Sequence, residues 1–229
     1  MPSLEKILAE APKYLFNKDS WKTFANYVGL GGLAKSRELA SPESLGYFLR
    51  TRASHVAQAS LYGYLKTRAG TRFPEMFENE GILMSMNMAK WQIWLACLSD
   101  LTVYTGGLIA QRTGEPNQDI QALLADVTDE ILADVGTPDD AAEEFQDTCD
   151  ALRIRIRNTD YGAVTDDESA FTQSPESLYR WAPIADELKV RDKEIVINSV
   201  RFRWQEVRRS VRKLLRAESL LPGEVTQAR

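Results

Sequence analysis

Three sets of side chains in this 229-residue chain have the types and spacing to do chemistry. Phe48, Arg52, His55, Ala59, Tyr62 and Lys66 fall on one side of a helix, with Arg50, Arg68 and Arg72 close in sequence. Aromatic and basic groups interleaved in this way can stack on nucleic-acid bases and neutralise phosphates, or equally hold an anionic ligand or an acidic helix. The competing explanation is a half-buried face packed on another helix, with Arg and Lys stems reaching outward. His55 is the only histidine. It has the pKa for proton transfer, but beside Arg52 a structural hydrogen bond is the simpler role.

The second set is the basic run Arg201, Arg203, Trp204, Arg208, Arg209, Arg212, Lys213 and Arg216. A basic amphipathic helix can dock in an acidic groove, lie on an anionic membrane or touch nucleic acid. Its apolar positions are Ile197, Val200, Trp204, Val207, Val211 and Leu214, at alternating steps of three and four. That narrow seam favours helix–helix packing over lipid, either within the chain or against a second copy as a homo-oligomer.

The third set is acidic. Asp126, Asp129 and Glu130 are followed by Asp139, Asp140, Glu143, Glu144 and Asp147, three and four residues apart. Carboxylates so spaced on facing helices can hold Mg²⁺, whose preference for hard oxygen ligands suits a phosphorylated or pyrophosphate substrate. A solvated helix face, with Asp139 and Asp140 favourable near a helix N-terminus, explains the same residues more simply.

Several chemistries lack their residues. One histidine cannot supply the paired Glu-x-x-His motifs of a di-iron bundle. There is no Gly-x-Ser-x-Gly elbow, no Gly-Lys-Ser/Thr phosphate loop and no Gly-x-Gly-x-x-Gly turn. Cys97 and Cys149 fit no metal or redox spacing; Cys97, in the most apolar segment, reads as a small core residue, and a reducing cytoplasm is the expected setting.

The elements that must position these residues are helical. The segment Ile82–Ala110 is apolar on nearly every side, as in a helix buried all round. A line of mostly small residues, from Ser85 through Ala89, Gln92, Ala96, Ser99 and Val103 to Gly106 and Ala110, allows close approach of a neighbour. Lys90 and Asp100 interrupt the segment and argue against a transmembrane span. Ser41-Pro42-Glu43 starts a helix that Gly70 stops. Asn117 to Val135 forms another, ended by Gly136, and Thr137-Pro138-Asp139-Asp140 reads as the start of one reaching about Arg157. Ser174-Pro175-Glu176-Ser177-Leu178 repeats residues 41–45 letter for letter, which we read as a second use of one good helix start. Pro183 breaks that helix, and the last one runs to about Ala217. Shorter helices are expected after Ser3 and after Asp19-Ser20, the latter ended by Gly29, Gly31 and Gly32.

The expected fold is therefore all-α, a bundle around a central buried helix (about 82–112) with a long C-terminal basic amphipathic helix. It forms one structural domain: N-terminal helices and a Gly-rich turn over 1–40, a helical core over 41–157, a loop over 158–174, C-terminal helices over 175–217 and a flexible tail over 218–229.

Charge is segregated along it. Residues 111–150 hold one base, Arg112, and twelve acids, whereas 191–216 hold nine bases and three acids. The two blocks either neutralise each other or present faces of opposite sign. The leading expectation is a non-enzymatic interaction protein (an adaptor, assembly factor or accessory subunit). It would dock acidic protein surfaces through Arg52, His55, Tyr62 and Lys66 on one helix and Arg201, Arg208, Arg209 and Arg212 on another. The alternative is a Mg²⁺-dependent all-α enzyme with Asp140, Glu143, Glu144 and Asp147 as ligands. A third possibility is peripheral membrane or nucleic-acid binding through the basic helix.

Overall fold

The computed structural model describes residues 38–221. They form seven α-helices: α1 (Pro42–Ala69), α2 (Glu80–Thr113), α3 (Asn117–Val135), α4 (Phe145–Asn158), α5 (Gln173–Trp181), α6 (Asp186–Leu214) and the single turn α7 (Ala217–Leu220). Short 3-10 turns occupy Gly70–Arg72, Pro74–Phe77 and Tyr161–Ala163. Among the described residues the one extended pairing is a bridge between Leu39 and Leu215. The helices expected near Ser3 and Asp19, the glycine stop at 29–32 and the tail from 222 lie outside the described residues.

Local signals account for most boundaries. Ser41 caps α1 in a capping box with Ser44, Pro42 fills the first turn, and Gly70 ends the helix with φ of 56°. Asn79 caps α2 by accepting from the Ile82 amide, and Gly114 closes it in the left-handed region at φ 68°. Gly136 ends α3 with φ of 62°.

α2 is the axis of the bundle. It is long and apolar enough to cross a membrane, but 94% of its most apolar window is buried inside this fold. α1, α3, α4, α5 and the short α7 pack around it, so protein rather than lipid covers its surface. Its small-residue line admits close neighbours as expected. A Cβ on Gly106 would stand 2.3 Å from the Tyr161 ring and 2.6 Å from Leu124, and one on Gly107 would stand 2.6 Å from Val164. At that end the close neighbours are α3 and the segment 159–172. Further up, Thr148 donates to Gln92 and Arg155 to Ser99, which brings α4 onto the same line.

A polar hub joins four helices in the core. Asp100, 0% exposed on α2, accepts from Arg155 of α4 at 2.7 Å, from the Gln173 and Ser174 amides, and from the Ser174 hydroxyl at 2.7 Å. The same hydroxyl accepts from the Trp204 indole of α6 at 3.0 Å. The two Ser-Pro-Glu-Ser-Leu segments are thus capped differently. Ser41 caps its own helix, while the α5 N-terminus takes its acceptor in trans from Asp100 and Ser174 points inward. Cys97 and Cys149 are buried free thiols.

Three sequence expectations need correction. The helix read from Thr137 begins at Phe145, and 138–144 form turns. Asp140 accepts from the Trp91 indole at 2.6 Å and from Lys90 at 3.2 Å, and Phe145 packs on Trp91. These tertiary anchors hold the segment out of helical register. The last helix stops at Leu214, because Leu215 turns extended to exchange hydrogen bonds around Leu39. The segment assigned to the tail begins with α7, where Leu220 is buried. The apolar seam of the last helix faces this chain's own core: Val200, Trp204, Val207, Val211 and Leu214 are buried, whereas Ile197 is half-buried and Val196 takes the inward position.

Candidate docking groove

α6 is held against the bundle at three levels. Near its start, Asp192 is bound by Arg68 and accepts from Tyr64 at 2.9 Å. In the middle, Trp204 stacks on Phe171 with centroids 4.7 Å apart. At its end, Arg112 donates to the Arg212 and Leu215 carbonyls, and the Leu39 amide donates to Leu214. With one stripe pinned inward, the positions between stripe residues must face sideways or out.

Two of the sequence-derived faces converge there. Arg52 and His55 of α1 and Phe202, Arg203, Glu206 and Arg209 of α6 line one open groove of 680 Å³. Gly63 of α1 leaves the space into which Arg203 lies, since a Cβ there would stand 3.1 Å from Nη2. The Arg203 Nε is buried with no hydrogen-bond partner. Arg52 sits over the Phe48 ring at 5.5 Å. Among the described residues neither Arg52, Arg203 nor Arg209 makes an ion pair, and Glu206 is the groove's one carboxylate. Phe202 is 71% exposed.

His55 is tuned by this setting. Desolvation against the groove wall lowers its pKa below the usual 6.5, Arg52 and Arg203 push the same way, and Glu206 opposes them. It is neutral at pH 7 and gains a proton only in more acidic solution.

The other expected docking residues lie elsewhere. Phe48 is buried at 6% rather than on the outer face. Tyr62 turns toward Phe77, with centroids 6.4 Å apart, and burial raises its pKa. Lys66 and Arg201 are exposed outside the groove. Arg208 and Arg212 belong to an internal latch. Arg212 donates to both Asp166 oxygens at 3.1 and 3.2 Å, and Arg208 donates to the Asp166 carbonyl at 3.0 Å and lies over the Tyr104 ring. Tyr104 donates to Asp166 at 2.5 Å, and this bond, after burial itself, helps push its pKa up to about 12. The latch ties segment 159–172 to α2 and α6. Phe202 was missed, although its seven-residue spacing from Ile195 and Leu188 was readable in the sequence.

The acidic set does not gather. Asp140 is engaged by Lys90 and Trp91, Glu143 and Glu144 lie in the turns before α4, and Asp147 is within it. Among the described residues no three His, Cys, Asp or Glu side chains stand where they could share a metal ion. Nor do the two charge blocks cancel. The acidic block pairs with Arg50, Lys90, Arg153 and Arg157, while α6 pairs with Asp166, Glu168 and, just beyond its end, Glu38 through Arg216. Comparison with known protein families, with curated protein sequences and with solved structures finds no match for this chain.

Proposed function

We propose that this protein is a helical interaction module that docks an acidic segment of a partner protein in the groove between α1 and α6. The observation that carries the reading is the convergence of Arg52, His55, Arg203 and Arg209 beside exposed Phe202, with the three arginines making no ion pair among the described residues and one carboxylate, Glu206, in the groove. An exposed aromatic ringed by guanidinium groups supplies an apolar anchor and bidentate donors for carboxylates. The groove walls are long helices fixed at several levels, so little ordering is needed on binding. An adaptor, assembly factor or accessory subunit uses such a surface, and the buried free thiols Cys97 and Cys149 suit a reducing, cytoplasmic setting.

A glutamate-rich peptide, titrated by fluorescence anisotropy, tests the reading. Affinity should fall steeply between low and moderate salt, because the contacts are charge pairs at a solvent-exposed rim. It should also tighten by about twofold to fivefold as pH falls from about 7.5 to 5.5, since one added surface charge is worth up to ~1 kcal/mol. The sign follows from His55, which faces Arg52, Arg203 and Glu206. Its lowered pKa leaves it neutral at the start of the titration, and it gains positive charge as acidification proceeds, while the peptide carboxylates stay charged. His55→Gln should remove the pH dependence and keep the salt dependence. Salt-insensitive affinity would overturn the proposal.

A further inference from the structure

The outer face of α6 carries a second regularity. Leu188, Ile195 and Phe202 stand seven residues apart, exposed by 39%, 72% and 71%. α6 is continuous from Asp186 to Leu214, so the three side chains form one line about 21 Å long. A seven-residue interval drifts only slightly around a helix, and an apolar line of this kind is what a second helix packs along. The line runs into the groove at Phe202 and reaches Arg209 one heptad later. The inward stripe of the same helix is already filled by the core, so this line serves nothing within the described chain.

We infer that the occupant is an acidic amphipathic α-helix of a partner protein, lying lengthwise along α6 with its apolar face on Leu188, Ile195 and Phe202. The inference rests on the docking reading and specifies the shape of what docks. Charge selects the occupant. Arg191 and Arg209 lie beside the line and make no ion pair among the described residues, and Glu206, one turn beyond Phe202, is the carboxylate on it. A second copy packed in parallel would bring the same arginines against one another, whereas a helix with glutamates flanking its apolar seam meets each of them with an opposite charge. A short extended acidic segment would use the groove and leave Ile195 and Leu188 uncovered.

The test uses two synthetic peptides of equal length and the full chain. One is a three-heptad peptide with leucine at a and d and glutamate at e and g. The other is polyglutamate. The amphipathic peptide should bind about tenfold more tightly, the worth of one well-placed apolar anchor, and should gain helical circular dichroism on binding. Ile195→Ser lies on the exposed face, so the melting temperature should be unchanged. It should cost the amphipathic peptide about tenfold and leave polyglutamate unaffected. Equal affinities, with no effect of Ile195→Ser, would overturn the helical occupant and leave the docking reading standing. Binding of neither peptide would remove the docking reading itself. A concentration-dependent dimer by sedimentation, dissociated by Ile195→Ser, would assign the line to a second copy and overturn the inference.

Discussion

Arg155→Met should cost about 3–5 kcal/mol of stability at neutral pH, the usual penalty for removing one partner of a buried ion pair. Asp100 is wholly buried, and among the described residues Arg155 is its one charged partner, at 2.7 Å. The guanidinium also donates to Ser99 at 2.9 Å and to the Ala170 carbonyl at 3.0 Å, so the variant loses the tie from α4 to the 159–172 segment as well. Burial raises the Asp100 pKa above its usual 3.8, while Arg155 and the Ser174 donors pull it back. Without Arg155 the pKa rises further. A carboxyl whose folded pKa exceeds its unfolded value takes up a proton in the fold first, so acidification favours the fold between those two values. The deficit should therefore be largest at neutral pH and shrink as pH falls through the raised pKa toward about 4. Asp100→Asn with Arg155→Met should recover part of the loss, because the amide oxygen still accepts from the α5 amides. Denaturant unfolding across pH checks both. A pH-independent deficit would remove Asp100 from the explanation.

Trp204→Ala should cost about 3–5 kcal/mol, whereas Phe202→Ala, two residues away, should cost no more than about 0.5 kcal/mol. The two rings point in different directions from one helix. Trp204 is 1% exposed, stacked on Phe171 and bonded to the Ser174 hydroxyl, so its removal opens a cavity and strips a donor from the hub. Phe202 touches mostly solvent, and its loss should appear in peptide affinity rather than in unfolding. The contrast separates what holds α6 on the bundle from what α6 presents. Comparable destabilisation by both substitutions would mean that the outer face of α6 is part of the core.

The helices legible in the sequence were those set by local signals. α1 begins and ends where its cap, proline and glycine place it, α3 follows its amphipathic pattern to a glycine stop, and the all-round apolar character of 82–112 identified the central helix. Thr137-Pro138-Asp139-Asp140 carries the same local signals, yet the chain forms turns there because Asp140 is fastened to Trp91 and Lys90 on α2. That anchor is 49 residues away in sequence, beyond the reach of a spacing argument. The site divides in the same way. Arg52, His55 and Arg209, which line the groove, are legible by type and helical spacing. Arg208 and Arg212 look identical to Arg209 in sequence, but Asp166, on a segment read simply as loop, claims both. Side-by-side placement of α1 and α6, which makes a groove of two separate faces, is a tertiary fact with no local signature.

Charge reversal at the groove tests the central claim most directly. Arg52→Glu with Arg209→Glu changes two exposed side chains that make no ion pair among the described residues, so the melting temperature should hold. Affinity for the glutamate-rich peptide at low salt should fall by at least about thirtyfold, as repulsion replaces attraction at two rim positions. The same peptide binding equally well to the wild-type and reversed proteins would contradict the account.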